Sequence, residues 1–193
     1  MVVTHSTNVS NQRGEVMARR VIYLLAAPLA VAVAIASWNY VGVQKQVSQV
    51  IKADLRNSGI NAIAHYQWFV NPQTVVYDLR GVSEDKSALD VTRTLLQFSE
   101  QMKARSFDRV ILSYKGNPRF MLKGNYFHTL GTEYGVQNPM YTLRTLPENI
   151  YNLDGSPAFG TWTGGALGVL GKQMEDLTEF NKRWYLSDVT GGN

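Results

Sequence analysis

From Val21 to Trp38 the chain reads VIYLLAAPLAVAVAIASW, an apolar run without a charge, placed directly after Arg19 and Arg20. At about 1.5 Å of rise per residue, a helix from Val21 to Val41 matches a bilayer hydrocarbon core of about 30 Å. The expectation is one transmembrane helix over residues 21–41. Trp38 and Tyr40 have the amphipathic rings that suit headgroup level, while Arg19 and Arg20 belong in water. Pro28 is tolerated because neighbours or local adjustment satisfy the freed carbonyl. Ala26, Ala30 and Ala34 fall four apart, a spacing that lets two such helices approach closely.

The rival reading is a cleaved secretory signal, since Ala34-Ile35-Ala36 spells an A-x-A site. The run exceeds the usual signal core of about 7–15 residues and its polar leader is long, which favours the anchor. A twin-arginine export signal fits less well, because Ala18 and Ile22 flank the arginine pair. Positive charge near the two ends nearly balances: Arg13, Arg19 and Arg20 before the run, Lys45, Lys52 and Arg56 after it. The arginine pair abuts the membrane, and long domains translocate largely regardless of charge. The expected orientation therefore puts the N-terminus in the cytoplasm and the main domain outside it, in the bacterial inner membrane if the cell is Gram-negative.

Of the 193 residues, 1–20 read as a polar, disordered tail and 42–58 as an amphipathic stalk helix. Residues 60–186 read as one α+β domain, with 187–193 as a C-terminal tail. Cysteine is absent, which removes disulfides, thiolate metal sites and Cys nucleophiles together. The formal charge of +4 falls to +2 over residues 41–193, too sparse for a general nucleic-acid binder. It is concentrated, however: Lys103, Arg105, Arg109, Lys115, Arg119 and Lys123 are opposed only by Asp108 in that stretch.

Val43, Val47, Val50, Ile51 and Leu55 recur at helical spacing, and this stripe packs either on its own domain or on a partner helix. Ile60–Val70 and Thr74–Arg80 then read as a hairpin around Asn71-Pro72-Gln73, with Val75, Tyr77 and Leu79 on one face. Ser87 and Asp90 form a capping box ahead of a helix stripe of Ala88, Val91, Leu95, Phe98 and Met102. Arg109–Lys115 and Arg119–Lys123 predict a second hairpin around Gly116-Asn117-Pro118. Its inner face carries Val110, Leu112, Tyr114, Phe120 and Leu122. The other face carries Arg109, Lys115, Arg119 and Lys123, suited to an acidic protein, a phosphate-bearing ligand or anionic headgroups.

Further on, Tyr126–Tyr134 predicts a short helix, Met140–Leu146 a strand and Pro147–Phe159 a long loop. From Ala166 to Trp184 a helix is expected, burying Leu167, Leu170, Met174, Leu177 and Phe180 or Asn181. Gly164, Gly165, Gly168 and Gly171 mark its start as a close-packing surface or an anion-binding turn. The fold expected is α+β: an N-terminal transmembrane helix, then an antiparallel sheet of four or five strands in two hairpins, with helices on one face.

Catalytic signatures fall short. Gly171-Lys172 is followed by Gln173 where a phosphate loop needs Ser or Thr, and Ala166 replaces its first glycine. Gly155-Ser156-Pro157 places proline where an oxyanion hole needs an amide. His65 and His128 stand in no metal-ligand spacing, so no metal and no cofactor is expected. The best constellation is His128 as general base with Glu133 and Asp154, but five residues separate the first two. The leading expectation is a non-enzymatic, membrane-anchored assembly component that meets lipid through 21–41 and protein partners or its own copies through the domain, without nucleic acid. The alternative is an anchored enzyme or small-ligand receptor using residues 124–171.

Overall fold

The computed structural model describes Leu24 and residues 26–190. The polar tail, Arg19 and Arg20, the start of the apolar run and Gly191–Asn193 lie outside the described residues. Two compact units divide the chain, 1–38 and 39–193. In the first, the described part of the apolar run is helical, and Leu24, Leu29, Val31 and Val33 are exposed. Helix α1, Ala26–Ala53, is long and apolar enough to cross a membrane.

The second unit holds a five-stranded sheet in the order β1 (Ile60–Gln67), β2 (Asn71–Val82), β3 (Arg109–Tyr114), β4 (Asn117–Lys123), β5 (Ile150–Tyr151). The α+β class, the two hairpins and the helical layer are as expected. One pairing adds a feature: β2 and β3 run parallel, so the sheet is mixed. The cause is α2 (Ala88–Met102), which lies between these strands in sequence and returns the chain to the end of the sheet where β2 began.

Strand alternation sends Val75, Tyr77, Leu79, Val110, Leu112, Tyr114, Phe120 and Leu122 into one core. Val43 and Val47 of α1 join it with Val91, Leu95 and Phe98 of α2, Phe127 and Leu130 of α3 (Gly124–Glu133), and Leu177 and Phe180 of α5 (Ala166–Asn181). The stalk stripe thus packs on its own domain through Val43, Val47, Val50 and Ile51, while Leu55, expected in the same stripe, is exposed. After α5, a π turn (Lys182–Leu186) carries Trp184 and Tyr185 into the core before the short α6, Ser187–Thr190.

Four local expectations are corrected. The expected loop Pro147–Phe159 holds a 3-10 turn, Pro147–Asn149, and strand β5, which pairs with β4. The first hairpin turns at Trp68-Phe69-Val70, upstream of Asn71-Pro72-Gln73. Pro72 instead lies near the start of β2, where the missing N–H is tolerated. Met140–Leu146 is not a strand but α4, Pro139–Thr145: Asn138 accepts from the Met140 amide as N-cap, and Pro139 takes the first helical position. The buried stripe of α5 begins at Gln173, leaving Leu167 and Leu170 exposed.

A second π turn, Tyr40–Gln44, interrupts α1. Its hydrogen bonds span five residues, and Asn39 and Gln44, five apart, reach the same strand. The Asn39 Oδ1 accepts from the Tyr66 amide at 2.8 Å, and the Gln44 Oε1 accepts from the Ala64 amide at 2.8 Å. Edge strand β1 therefore has two outward N–H groups capped by amide side chains, which blunts it as a template for further strands. Arg105 donates to the Gly42 carbonyl within the π turn and to the Tyr66 hydroxyl. A Cβ at position 42 would collide with that same tyrosine ring, so glycine is required there.

The capping box forms as expected, the Asp90 carboxylate accepting from the Ser87 amide at 2.9 Å and hydroxyl at 2.7 Å. These bonds, aided by Arg93, lower the Asp90 pKa from the ordinary 3.8 to about 2. A carboxyl depressed in the folded state adds stability that is fully present above its unfolded value and is lost as pH falls through the folded one. The thermal midpoint accordingly declines between pH 3.8 and about 2, and Asp90→Asn makes that decline shallower. An Asp90→Asn variant whose acid profile parallels the wild type would show that the cap does not contribute.

Candidate interaction surfaces

The basic residues of the second hairpin do not form one patch. Arg109 and Lys123 pair across β3 and β4 at one end of the sheet. Lys115 sits in the β3–β4 turn at the other end, its ammonium 5.1 Å from the Tyr114 ring centroid, and β3 spans about 17 Å between them at about 3.3 Å per residue. Arg119 forms an ion pair with Asp188. The Lys123 ammonium lies 4.3 Å from the Tyr151 ring centroid.

His128, Glu133 and Asp154 are not assembled either. His128 is exposed on α3, while Glu133 lines a small cavity with Leu130, Tyr134, Gly135 and Pro139 that does not include the histidine. Asp154 accepts from the Ser156 amide at 2.9 Å and hydroxyl at 2.7 Å, closing its own turn. These bonds hold its carboxyl below the usual range. Among the described residues, no three His, Asp or Glu side chains gather as a metal cluster.

The glycines at the start of α5 are open. A Cβ at Gly164, Gly165, Gly168 or Gly171 would meet nothing within 4 Å, so among the described residues nothing uses the room they leave. Leu167 between them is 87% exposed, with Trp162, Leu170, Met140 and Tyr141 also exposed nearby in α4, α5 or the preceding loop. Two grooves of about 430 Å³ each flank Arg144, one lined by Met140, Tyr141 and Leu170, the other by Trp162, Thr163, Gly164 and Val169. An apolar, glycine-rich helical turn and a half in contact with solvent is unusual for a monomer, since such patches commonly mark interaction sites. The spacing of these glycines predicts a close-packing surface or an anion-binding turn; among the described residues nothing packs against it.

A second surface arises from register alone. On the sheet face opposite the core, His65, Val76, Ile111, Met121 and Tyr151 stand side by side across all five strands. Val76 and Ile111 are nearly buried yet stand outside the core cluster. The alternation in β2 was readable in the sequence; the cross-sheet row was not, because it needs the parallel β2–β3 pairing.

Trp68, Phe69 and Val70, expected at the end of the first strand, form the hairpin turn instead. The Val70 amide donates to the Gln67 carbonyl across Trp68 and Phe69, whose φ angles are 56° and 61°. Two bulky residues in the left-handed region cost about 1 kcal/mol or more each. Asn39 offsets part of this, its Nδ2 donating to the Phe69 carbonyl at 2.7 Å, and Phe69 stacks on His65 with ring centroids 4.6 Å apart. An apolar triplet directly before Asn-Pro at a hairpin end was the available signal. No family model, curated protein or solved structure matches the chain.

Proposed function

We propose that this protein is a single-pass membrane component, N-terminus in the cytoplasm and domain outside it, that binds other proteins as a non-enzymatic part of a larger assembly. The observation that carries the reading is the start of α5. Leu167 at 87% exposure beside Gly164, Gly165 and Gly168 offers a partner both an apolar anchor and room for close backbone approach. The partner chemistry this suits is an apolar helix or strand laid along that flank. Burying one leucine contributes about 2 kcal/mol, more than a tenfold change in affinity.

The test is to extract the full chain from its native membrane in mild detergent, weigh the particle and identify what accompanies it. The expected result is a stoichiometric partner that Leu167→Asp and Gly168→Leu each reduce at least tenfold while the circular dichroism of the domain is unchanged. A bare monomer that survives cross-linking unchanged overturns the reading. A small-anion site is the second reading, favoured by a buried Arg144 Nε with no hydrogen-bond partner on the side chain that flanks Thr163 and Gly164. It requires phosphate binding that Arg144→Ala abolishes while any protein partner stays bound.

A further inference from the structure

We propose that the β1–β2 hairpin tip, Trp68-Phe69-Val70, sits in the headgroup layer of the bilayer that the preceding apolar run spans, and so fixes the domain against the membrane surface. The proposal rests on the membrane-anchor reading above. Three independent observations converge on it.

The first is position. Asn39, the residue after the run that ends at Trp38, holds the tip by hydrogen bonds with the Tyr66 amide and the Phe69 carbonyl. Where the chain leaves the apolar run, the tip is therefore one side chain away. Tyr40 and Val41, next in sequence, are exposed as well.

The second is chemistry. Trp68 is 78%, Phe69 53% and Val70 54% exposed. Tryptophan is enriched at the membrane–water boundary because its ring is apolar and its indole N–H remains available to hydrogen-bond. Backbone held in the left-handed region at two adjacent aromatic residues keeps these side chains displayed, and strain of this kind clusters where function maintains it.

The third is charge. β1 ends and β2 begins at the tip, and in register with that end lie Thr74, Arg109 and Lys123. The loop before β3 brings Arg105 onto Tyr66 and Gly42. Asp108, whose amide bonds the Gln73 carbonyl, is the acid in that loop. Part of the basic cluster thus lies at the sheet end from which the apolar tip projects, where exposed Arg109 and Lys123 suit anionic headgroups.

The chain has no cysteine, so single substitutions to cysteine give unique spin-label sites. The full chain is reconstituted in vesicles of phosphatidylcholine with phosphatidylglycerol, carrying Leu29→Cys, Val70→Cys or Leu55→Cys in turn. Collision of the label with oxygen is compared with collision with a water-soluble nickel complex. The proposal expects the oxygen-to-nickel ratio at position 70 to exceed that at position 55 several-fold and to fall below that at position 29. Equality of positions 70 and 55, with position 29 reporting bilayer, overturns the proposal and leaves the anchor standing. A label at position 70 shielded from both reagents means that protein covers the tip, which also overturns it. Water exposure at position 29 overturns the anchor reading and this proposal with it.

Discussion

Trp184→Ala lowers the stability of the domain by about 3–5 kcal/mol. The indole has no exposed surface and lies within an aromatic group, its ring centroid 5.3 Å from Phe180, 5.9 Å from Tyr185 and 6.2 Å from Tyr77. It also does what packing alone cannot. The β3–β4 register shifts between Leu112 and Ser113, and the Trp184 indole N–H donates to the Ser113 carbonyl at 3.1 Å. Truncation leaves both a cavity and a buried acceptor without its donor. Trp184→Phe shifts the balance, removing the donor with a smaller cavity than alanine leaves, at about 1–3 kcal/mol for the unpaired Ser113 carbonyl. For a domain of this size the alanine variant lowers the thermal midpoint by about 6–20 °C. Thermal and urea unfolding of the full chain in detergent, followed by far-UV circular dichroism, measure both variants. A loss below about 0.5 kcal/mol for alanine, within the range of an ordinary surface change, would mean that the π turn does not anchor α5 to the sheet.

How much was legible follows from which signals are local. Strand alternation depends on adjacent residues only, so Val75, Tyr77 and Leu79, and Val110, Leu112 and Tyr114, were assigned to the core face correctly. Ser87 and Asp90 lie three apart and close their box without help from elsewhere. The turn at Trp68-Phe69 was not legible, because the residue that holds it, Asn39, is 27 positions from Tyr66 and belongs to α1. Asn71-Pro72-Gln73 has stronger local turn chemistry and loses to that contact. The segment Met140–Leu146 was misread for the opposite reason: its Met, Tyr, Thr and Leu suit a strand, but Asn138 and Pro139 start a helix locally, and that signal was available. The basic residues were adjacent in sequence and still separated in space, since a hairpin returns Lys123 to Arg109 while sending Lys115 to the far end. The open space around Gly165 and Gly168 among the described residues depends on how distant elements pack, and no window of sequence contains it.

Asn57→Leu gives the second large effect, a loss of about 2–4 kcal/mol from a change that keeps the branched shape of the side chain and removes its polar atoms. Asn57 is wholly buried, and its amide serves two helices at once. Nδ2 donates to the Val50 carbonyl at 3.0 Å and to Gln97 Oε1 at 2.6 Å, while Oδ1 accepts from Arg93 and from the Thr94 hydroxyl. Gln97 in turn donates to Asp54 at 2.8 Å, a bond that together with Arg56 keeps that carboxyl well below the usual range. Leucine neither donates nor accepts, so the Val50 carbonyl and Gln97 Oε1 lose their bonds to Nδ2, while Arg93 and Thr94 keep their bonds to Asp90 and Arg56. Network behaviour is checked by a double-mutant cycle with Gln97→Leu: a coupling above about 0.5 kcal/mol marks one unit, and additivity would show independent bonds. Trp184→Ala shares no hydrogen-bond partner with Asn57, so its effect adds to that of Asn57→Leu within about 0.5 kcal/mol. If the network is one unit, the end of α1 is fastened to α2 at Asn57 and to β1 at Asn39 and Gln44, at two places along the segment that follows the apolar run. So fastened, the segment from Asn39 to Asn57 has a set position on the sheet, with Asn39 bonded to Tyr66 and Phe69 at the hairpin tip.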